Sequence, residues 1–167
     1  RKEGPGDWYE ATVIADVDET LLDNVRFQGR LIDDGTRFDA TLWTEWVNRA
    51  EADPMPGAVE FARFAAARGV TLAYVTNRDA HHEAATRANL ERAGFPLAAD
   101  RDTVLTRGER PEWRSDKTGR REEVARSYRV LLLLGDDLND FVAGARLGVE
   151  ARRALVDAVA GRWGRDW

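Results

Sequence analysis

The chain has 167 residues, of which 43% are hydrophobic, and this is enough to bury one core of ordinary size. Its 25 basic residues against 30 acidic residues give a formal net charge of −5. This acidic balance disfavours a broad surface that binds a nucleic-acid polymer or an anionic membrane, whereas a small phosphorylated ligand needs only local positive charge. Because the chain contains no cysteine, it has no disulfide, no thiolate metal site and no cysteine nucleophile.

Three short apolar runs are typical of buried strands. They span residues 11–15, 70–75 and 130–134, and each ends abruptly in polar residues. None of them alternates apolar with polar residues, which predicts central strands of a parallel sheet covered by helices on both faces. Residues 104–105 predict a further short strand. All of these runs are far shorter than the roughly 20 residues that cross a bilayer, so no transmembrane segment is predicted.

Helical segments lie between the predicted strands. A proline near the first turn and a glycine after the last turn mark a helix over residues 56–68. Further helices are predicted over residues 79–93, 119–128 and 151–160. This alternation predicts an α/β fold in which parallel strands are joined by right-handed crossovers.

The interval from residue 24 to residue 53 breaks this alternation. It follows the first strand directly, and it contains a helix-like run over residues 40–52. An insertion at this place would overhang the carboxyl ends of the strands, where α/β proteins bind their ligands. We therefore expect a single domain over residues 1–167 with a small cap at about residues 24–53.

Polar side chains follow the ends of the three main strands. The carboxyl ends of parallel strands lie at one edge of a sheet, so these side chains should converge although they are far apart in sequence. Several carboxylates in one crevice repel each other and need a cation or a proton to coexist. Oxygen ligands favour a hard ion, and magnesium is the leading candidate. The converging residues are Asp16, Asp18, Thr76, Asn77, Asp136, Asp137 and Asp140.

Asp16 and Asp18 stand two positions apart, so both carboxylates can address one substrate. A carboxylate nucleophile that forms an acyl phosphate divides phosphoryl transfer into two easier displacements. The neighbouring acid can protonate the leaving alcohol and then activate water. The alternative is that such acids cap helices or lie in solvated turns, which explains a single Asp more readily than acids at successive strand ends.

The segment Asp16–Asn24 resembles the first motif of haloacid dehalogenase (HAD) superfamily phosphatases, and specifically of the class C acid phosphatases of the 5′-nucleotidase lipoprotein type. The resemblance implies a Rossmann-like HAD fold and magnesium-dependent hydrolysis of small phosphomonoesters through an aspartyl phosphate. It extends over nearly the whole chain, through Phe38, Trp43, Trp46, Pro56–Ala58, Tyr74–Arg78, Ser115–Lys117 and Gly135–Phe141.

The resemblance also implies roles for the acidic residues of these motifs. Asp16 would be the nucleophile, and Asp18 would be the general acid and base and would give a backbone carbonyl to magnesium. Asp16 and Asp136 would give carboxylates to the ion, and Asp140 would support the ion or its waters. Asp137 occupies a position that is often Asn in the family, so its role is left open.

Three further residues are implied to contact the phosphoryl group or its surroundings. Thr76 would donate a hydrogen bond to a phosphoryl oxygen, and Asn77 beside it is a candidate for substrate binding. Lys117 would occupy the third-motif position and neutralise charge on the nucleophile and the phosphoryl group. A lysine near a helix start is otherwise most often a solvated surface residue.

Aromatic residues of the insertion suggest a substrate surface. Trp43 and Trp46 are three positions apart on a predicted helix and share a face. They pack within the cap, or one of them or Phe27 stacks on the base of a nucleoside 5′-monophosphate. Class C relatives often prefer such substrates, which makes nucleotidase activity an expectation from the resemblance.

Two other groups of residues carry weaker signals. His81 and His82 follow the second main strand, and a solvated first helical turn is favoured over a metal site because adjacent helical residues point about 100° apart. A basic loop precedes Lys117, and it either positions an anionic substrate or pairs with nearby acids. Its residues are Arg107, Arg110, Trp113 and Arg114.

Other functions use the same residues. A phosphotransferase would replace water with another alcohol, and a phospho-accepting receiver would also place an Asp at a parallel strand end. Asp18 disfavours the receiver, because an acid and base two residues from the phosphorylated Asp should hasten hydrolysis. The resemblance implies a periplasmic or otherwise extracytoplasmic protein whose leader is absent from these residues, while a cytoplasmic location and a homo-oligomer stay open.

Overall fold

A computed structural model of the chain describes residues 10–144 and 147–167, so residues 1–9 of the predicted domain lie outside the described part. The strands are β1 (Ala11–Ala15), β2 (Leu22–Asp23), β3 (Asp53–Pro54), β4 (Thr71–Asp79), β5 (Val104–Arg107) and β6 (Arg129–Leu134). The helices are α1 (Val25–Asp33), α2 (Ala40–Arg49), α3 (Ala58–Ala66), α4 (Glu83–Ala93), α5 (Thr118–Ser127) and α6 (Val149–Ala158). Short 3₁₀ helices span Ala80–His82, Leu138–Asp140 and Ala160–Arg162.

The main sheet is parallel and has the strand order β5-β4-β1-β6. Strand β1 pairs with β4 on one side and with β6 on the other. Its side chains alternate between two buried clusters: Val13 and Ala15 belong to one, and Ile14 belongs to the other together with Val124 of α5. The predicted α/β fold is therefore confirmed, and the carboxyl ends of all four strands share one edge.

Two predicted strands differ in detail from the structure. Strand β6 was expected to be central, but in the described part of the chain it pairs on one side only, and Leu131 keeps 41% of its surface exposed. An apolar run without alternation fits a strand at a partly covered edge as well as a central one. Strand β4 continues to Asp79, which pairs in register with Arg107 of β5, so Thr76 and Asn77 lie inside the strand.

The two ends of the interval between residues 24 and 53 lie next to each other. Strands β2 and β3 pair antiparallel, with Leu22 opposite Pro54 and Asp23 opposite Asp53. Helices α1 and α2 lie between them. The sequence predicts α2 but not α1 or this ladder, because a pair of two-residue strands has no periodic pattern.

The second half of this interval is anchored to α4. The buried Asn89 side chain accepts a hydrogen bond from the backbone N–H of Ala52 over 3.1 Å and donates to its carbonyl over 2.8 Å. Arg92 donates to the carbonyls of Ala50 and Ala52 over 2.7 and 2.9 Å. Within the described residues, no helix combines the length and the apolar character that crossing a bilayer requires.

We expect Asn89→Ala to destabilise the protein by about 1–3 kcal/mol, because the buried N–H of Ala52 would lose its partner and the Ala52 carbonyl would keep only Arg92. The free energy of unfolding in urea measures this change. Asn48→Ala is the matched control, because Asn48 is exposed on α2 and its replacement should change stability by less than about 0.5 kcal/mol. Equal stability of the two variants would contradict the anchoring role of Asn89.

Candidate active site

Asp16 stands at the carboxyl end of β1, where the sheet holds its backbone. Its N–H donates to the carbonyl of Leu134, the last residue of β6, over 2.9 Å. Its carboxylate is buried, and Thr20 donates a hydrogen bond to Oδ2 over 3.3 Å. The end of β1 therefore holds a buried carboxylate beside the end of a second strand, as the sequence predicts.

Lys117 brings a buried positive charge to this carboxylate. It immediately precedes α5, and its ammonium group donates to Asp16 Oδ1 and, over 2.6 Å, to Asp140 Oδ1. All three side chains are buried. Burial strengthens the attraction between these charges and makes the loss of one partner costly.

A glycine makes room for Asp140 in this cluster. A Cβ atom at Gly135 would overlap the Asp140 side chain, so the approach requires glycine. Asp140 Oδ2 also accepts the N–H of Asp137 over 2.9 Å, while the Asp137 side chain accepts the N–H of Asn139. This reciprocal capping box fixes the 3₁₀ helix that carries Asp140.

Three carboxylates gather closely enough to share a cation. Ligand atoms of Asp16, Asp136 and Asp140 lie within 4.8 Å of one another. Burial raises the pKa of Asp16 above its usual range, Lys117 opposes this shift, and the charge of Asp140 reinforces it. Burial also raises the pKa of Asp136, again with a contribution from Asp140. Three carboxylates against one ammonium leave excess negative charge, so this oxygen-only cluster fits a hard divalent cation.

These residues open onto a cavity of about 410 Å³. Six of the residues predicted from the sequence line it, namely Asp16, Asp18, Asn77, Lys117, Asp136 and Asp140. Asp137, whose role was left open, lines it as well, together with Glu19, Asn139 and Arg152.

Glu19, Asn139 and Arg152 were not predicted as site residues. Glu19 has a left-handed backbone with φ of 59°, a strained conformation for a residue other than glycine. Its position within the first motif was the available signal. Arg152 approaches from α6, 3.3 Å from Asp137 Oδ2, and nothing local in the sequence of α6 marks it.

Thr76 and Asn77 differ in their relation to the cavity. Asn77 lines it, and its amide is held by Arg120, which donates to Oδ1 over 2.7 Å, and by the Ser115 carbonyl, 3.1 Å from Nδ2. The Thr76 side chain is buried, and its hydroxyl oxygen accepts the N–H of Arg78 over 3.1 Å. A contact between Thr76 and a phosphoryl oxygen therefore stays a prediction.

The aromatic residues of the insertion pack mainly on one another. Phe27 is 1% exposed and Trp46 is 8% exposed, with ring centres 6.4 Å apart. Their burial does not support stacking of either ring on a substrate, and the cap-packing alternative fits both. Trp43 is only partly buried, and its ring centre lies 6.3 Å from that of the exposed Phe38. Of the three candidates, Trp43 is the one that is not buried.

The prediction of a solvated turn is wrong for His82. This residue is 2% exposed, and its Nε2 atom lies 3.2 Å from the hydroxyl oxygen of Thr44. Ligand atoms of Asp79, His81 and His82 lie within 4.8 Å of one another, but Arg107 donates to both oxygens of Asp79 over 2.8 and 2.9 Å. The Asp79 charge is thus already compensated.

The basic loop before Lys117 pairs with acids. Arg107 pairs with Asp79, as described above, and Arg110 pairs with Glu123 over 2.7 Å. For Arg107 and Arg110, these contacts follow the alternative in which the loop forms ion pairs.

Similarity to known proteins agrees with this geometry. A class C acid phosphatase from Bacillus anthracis, solved with tungstate bound, superposes with a TM-score of 0.87 at 31% identity, covering 96% of this chain and 66% of that chain. Two Glycine max proteins, the stem 28 kDa and stem 31 kDa glycoproteins, are each 27% identical over 141 residues, or 81% of this chain.

The chain spans about half the length of these curated relatives, 54% and 47% respectively. The sequence model of one family, described as HAD superfamily, subfamily IIIB (acid phosphatase), matches residues 7–157. That match contains every motif that forms the cavity. The chain therefore belongs to subfamily IIIB of the HAD superfamily, the acid phosphatase family.

Proposed function

We propose that this protein hydrolyses small phosphomonoesters by transferring the phosphoryl group to Asp16. One observation carries the proposal: a buried ammonium group, that of Lys117, contacts the Asp16 carboxylate beside two further carboxylates at an open polar cavity. Such an arrangement holds a carboxylate nucleophile beside a positive charge, and the further carboxylates can hold a cation that compensates the charge of a phosphate dianion.

The reaction takes two steps. In the first, a carboxylate oxygen of Asp16 bonds to phosphorus, the bond to the leaving oxygen breaks with its electron pair, and Asp18 gives that oxygen a proton. In the second, water gives a proton to Asp18 as its oxygen bonds to phosphorus, and the bond to Asp16 breaks. Inorganic phosphate leaves, and both side chains regain their starting states.

Positive charge and amide groups stabilise the transferring phosphoryl group. Lys117 and the Asn77 amide line the cavity where negative charge develops on its oxygens. A magnesium ion bound by Asp16, Asp136 and Asp140 would neutralise further charge there. The related Bacillus anthracis phosphatase binds tungstate, a tetrahedral oxyanion, which supports a phosphate group as the ligand of this chain.

Nucleoside 5′-monophosphates are the proposed substrate class. Trp43 supports this choice because it is only partly buried and its ring centre lies 5.7 Å from the guanidinium carbon of Arg78, the residue that binds Asp18. A location outside the cytoplasm and a homo-oligomer are proposals that rest on family resemblance alone; cell fractionation and light scattering test them.

Asp16→Asn should lower kcat for p-nitrophenyl phosphate by at least about a hundredfold, because it removes the nucleophile and keeps the volume. Asp18→Asn should lower kcat similarly, because Asp18 takes the proton of water in the second step, and KM should fall with kcat because p-nitrophenolate leaves without a proton. Asp33→Asn, an exposed acid on α1, is the control. Wild-type turnover by Asp16→Asn would refute the role of Asp16 as the nucleophile.

The same assay separates the alternative functions. A single stoichiometric phosphorylation of the wild type would favour a phospho-accepting receiver, and transfer of the phosphoryl group to an added alcohol would identify a phosphotransferase.

Removing divalent cations with EDTA should abolish turnover, and magnesium should restore it. Magnesium should also raise the melting temperature of the metal-free protein, since an ion that binds only the folded state stabilises it. Asp136→Asn should require at least about tenfold more magnesium for both effects, because it removes one charged ligand. Equal magnesium dependence of Asp136→Asn and Asp33→Asn would contradict the proposed site.

Trp43→Ala should lower kcat/KM for AMP about tenfold more than for ribose 5-phosphate, which has the same leaving oxygen but no base to stack. Phe64→Ala removes an exposed aromatic side chain of α3 and is the matched control. Equal losses on AMP and ribose 5-phosphate would remove the stacking role of Trp43 and leave phosphatase activity itself intact.

A further inference from the structure

The Asp18 carboxylate is held by residues from two segments of the chain. Arg78 donates to Oδ1 from Nη2 over 2.8 Å and from Nε over 3.0 Å, and Asn24 Nδ2 donates to the same oxygen over 3.0 Å. Among the described residues, Oδ2 receives only a longer contact of 3.2 Å from Arg78 Nε. Oδ1 is therefore saturated with donors, while Oδ2 keeps capacity for a further partner.

Arg78 is itself fixed in place. It is buried within β4, and its Nη1 donates to the hydroxyl of Thr86 on α4 over 3.3 Å. The planar guanidinium fork loses little freedom when it binds a carboxylate through two nitrogens, which a flexible ammonium cannot match. The direction of the Asp18 carboxylate is thus tied to β4 and α4.

Asn24 ties the same carboxylate to the insertion. The indole N–H of Trp46 on α2 donates to Asn24 Oδ1 over 2.8 Å, and both side chains are buried. Because an indole can only donate, Asn24 must turn its carbonyl oxygen to Trp46 and its amide nitrogen to Asp18. Trp46 therefore sets the orientation of the amide that contacts Asp18.

We infer that Arg78, Asn24 and Trp46 are positioning residues that hold Asp18 so that Oδ2 is the oxygen that moves the proton. The inference rests on the proposed function, since it assigns the working oxygen of Asp18 in that reaction. The Oδ2 proton passes to the leaving oxygen as that oxygen separates from phosphorus with its electron pair. A proton from water then returns to Oδ2 as the water oxygen bonds to phosphorus.

Leaving-group dependence separates this role from a structural one. We propose to measure kcat/KM for para-substituted phenyl phosphates, because this constant reports leaving-group departure whatever the rate of the second step. Arg78→Lys should lower kcat/KM about a hundredfold for esters whose phenolate needs a proton to leave. For p-nitrophenyl phosphate, whose p-nitrophenolate leaves without a proton, kcat/KM should fall less than about threefold. Trp46→Phe keeps the aromatic packing and removes the N–H. It should lower kcat/KM about fivefold for the esters that need a proton, which is the effect of one lost hydrogen bond.

Matched controls and a double variant complete the test. Arg107→Lys changes a similar ion pair, in which two nitrogens of Arg107 on β5 bind Asp79 at the end of β4. Trp113→Phe changes a buried tryptophan in the hydrophobic cluster that contains Ile14. Neither should alter the leaving-group dependence. In an Asp18→Asn background, Arg78→Lys should add no leaving-group dependence, because the group through which it acts is gone.

Uniform losses across the series in both Arg78→Lys and Trp46→Phe would overturn the inference while leaving the proposed function in place. If Arg78→Lys does not fold, Trp46→Phe decides alone. Failure of the wild type to turn over any of these esters would instead overturn the proposed function, and the inference with it.

Discussion

The ammonium group of Lys117 lies between the buried carboxylates of Asp16 and Asp140. Acids buried this closely repel each other, so the site depends on this cation and on room for a second one. The backbone is shaped around that requirement: β1 and β6 end side by side, α5 begins at Lys117, and Gly135 leaves space for Asp140. The same concentration of charge that disfavours the folded state prepares the cavity for a phosphate group and its counter-ion.

The convergence of Asp16, Asp136 and Asp140 was predictable because it follows from sheet topology, which a few apolar runs reveal. Helix α1 and the β2–β3 ladder were not, since a pair of two-residue strands has no periodic pattern and its pairing depends on the fold. Burial was also beyond the sequence. The sequence pattern does not distinguish a central strand from the exposed edge of β6, and it does not distinguish a solvated His82 from a buried one.

The aromatic residues and Arg78 show a second limit of sequence reasoning. Residue type indicates what a side chain can do, but partners decide what it does. Trp46 is suited to stacking, yet its N–H is bonded to Asn24 and its ring is buried. Arg78 is buried in a strand whose other residues are buried or partly buried, and a charge in such a place requires an anion beside it. That anion, Asp18, lies 60 positions away in the sequence, and only the fold brings the two together.

Identifying the residue that becomes phosphorylated tests the role of Asp16 directly. The protein is supplied with p-nitrophenyl phosphate and magnesium, quenched in acid and reduced with borohydride, which converts an acyl phosphate to an alcohol that peptide mass spectrometry locates. Phosphoryl transfer to Asp16 predicts a reduced side chain at position 16 of the wild type and none at this position in Asp16→Asn. A reduced carboxyl group at any other position would contradict it.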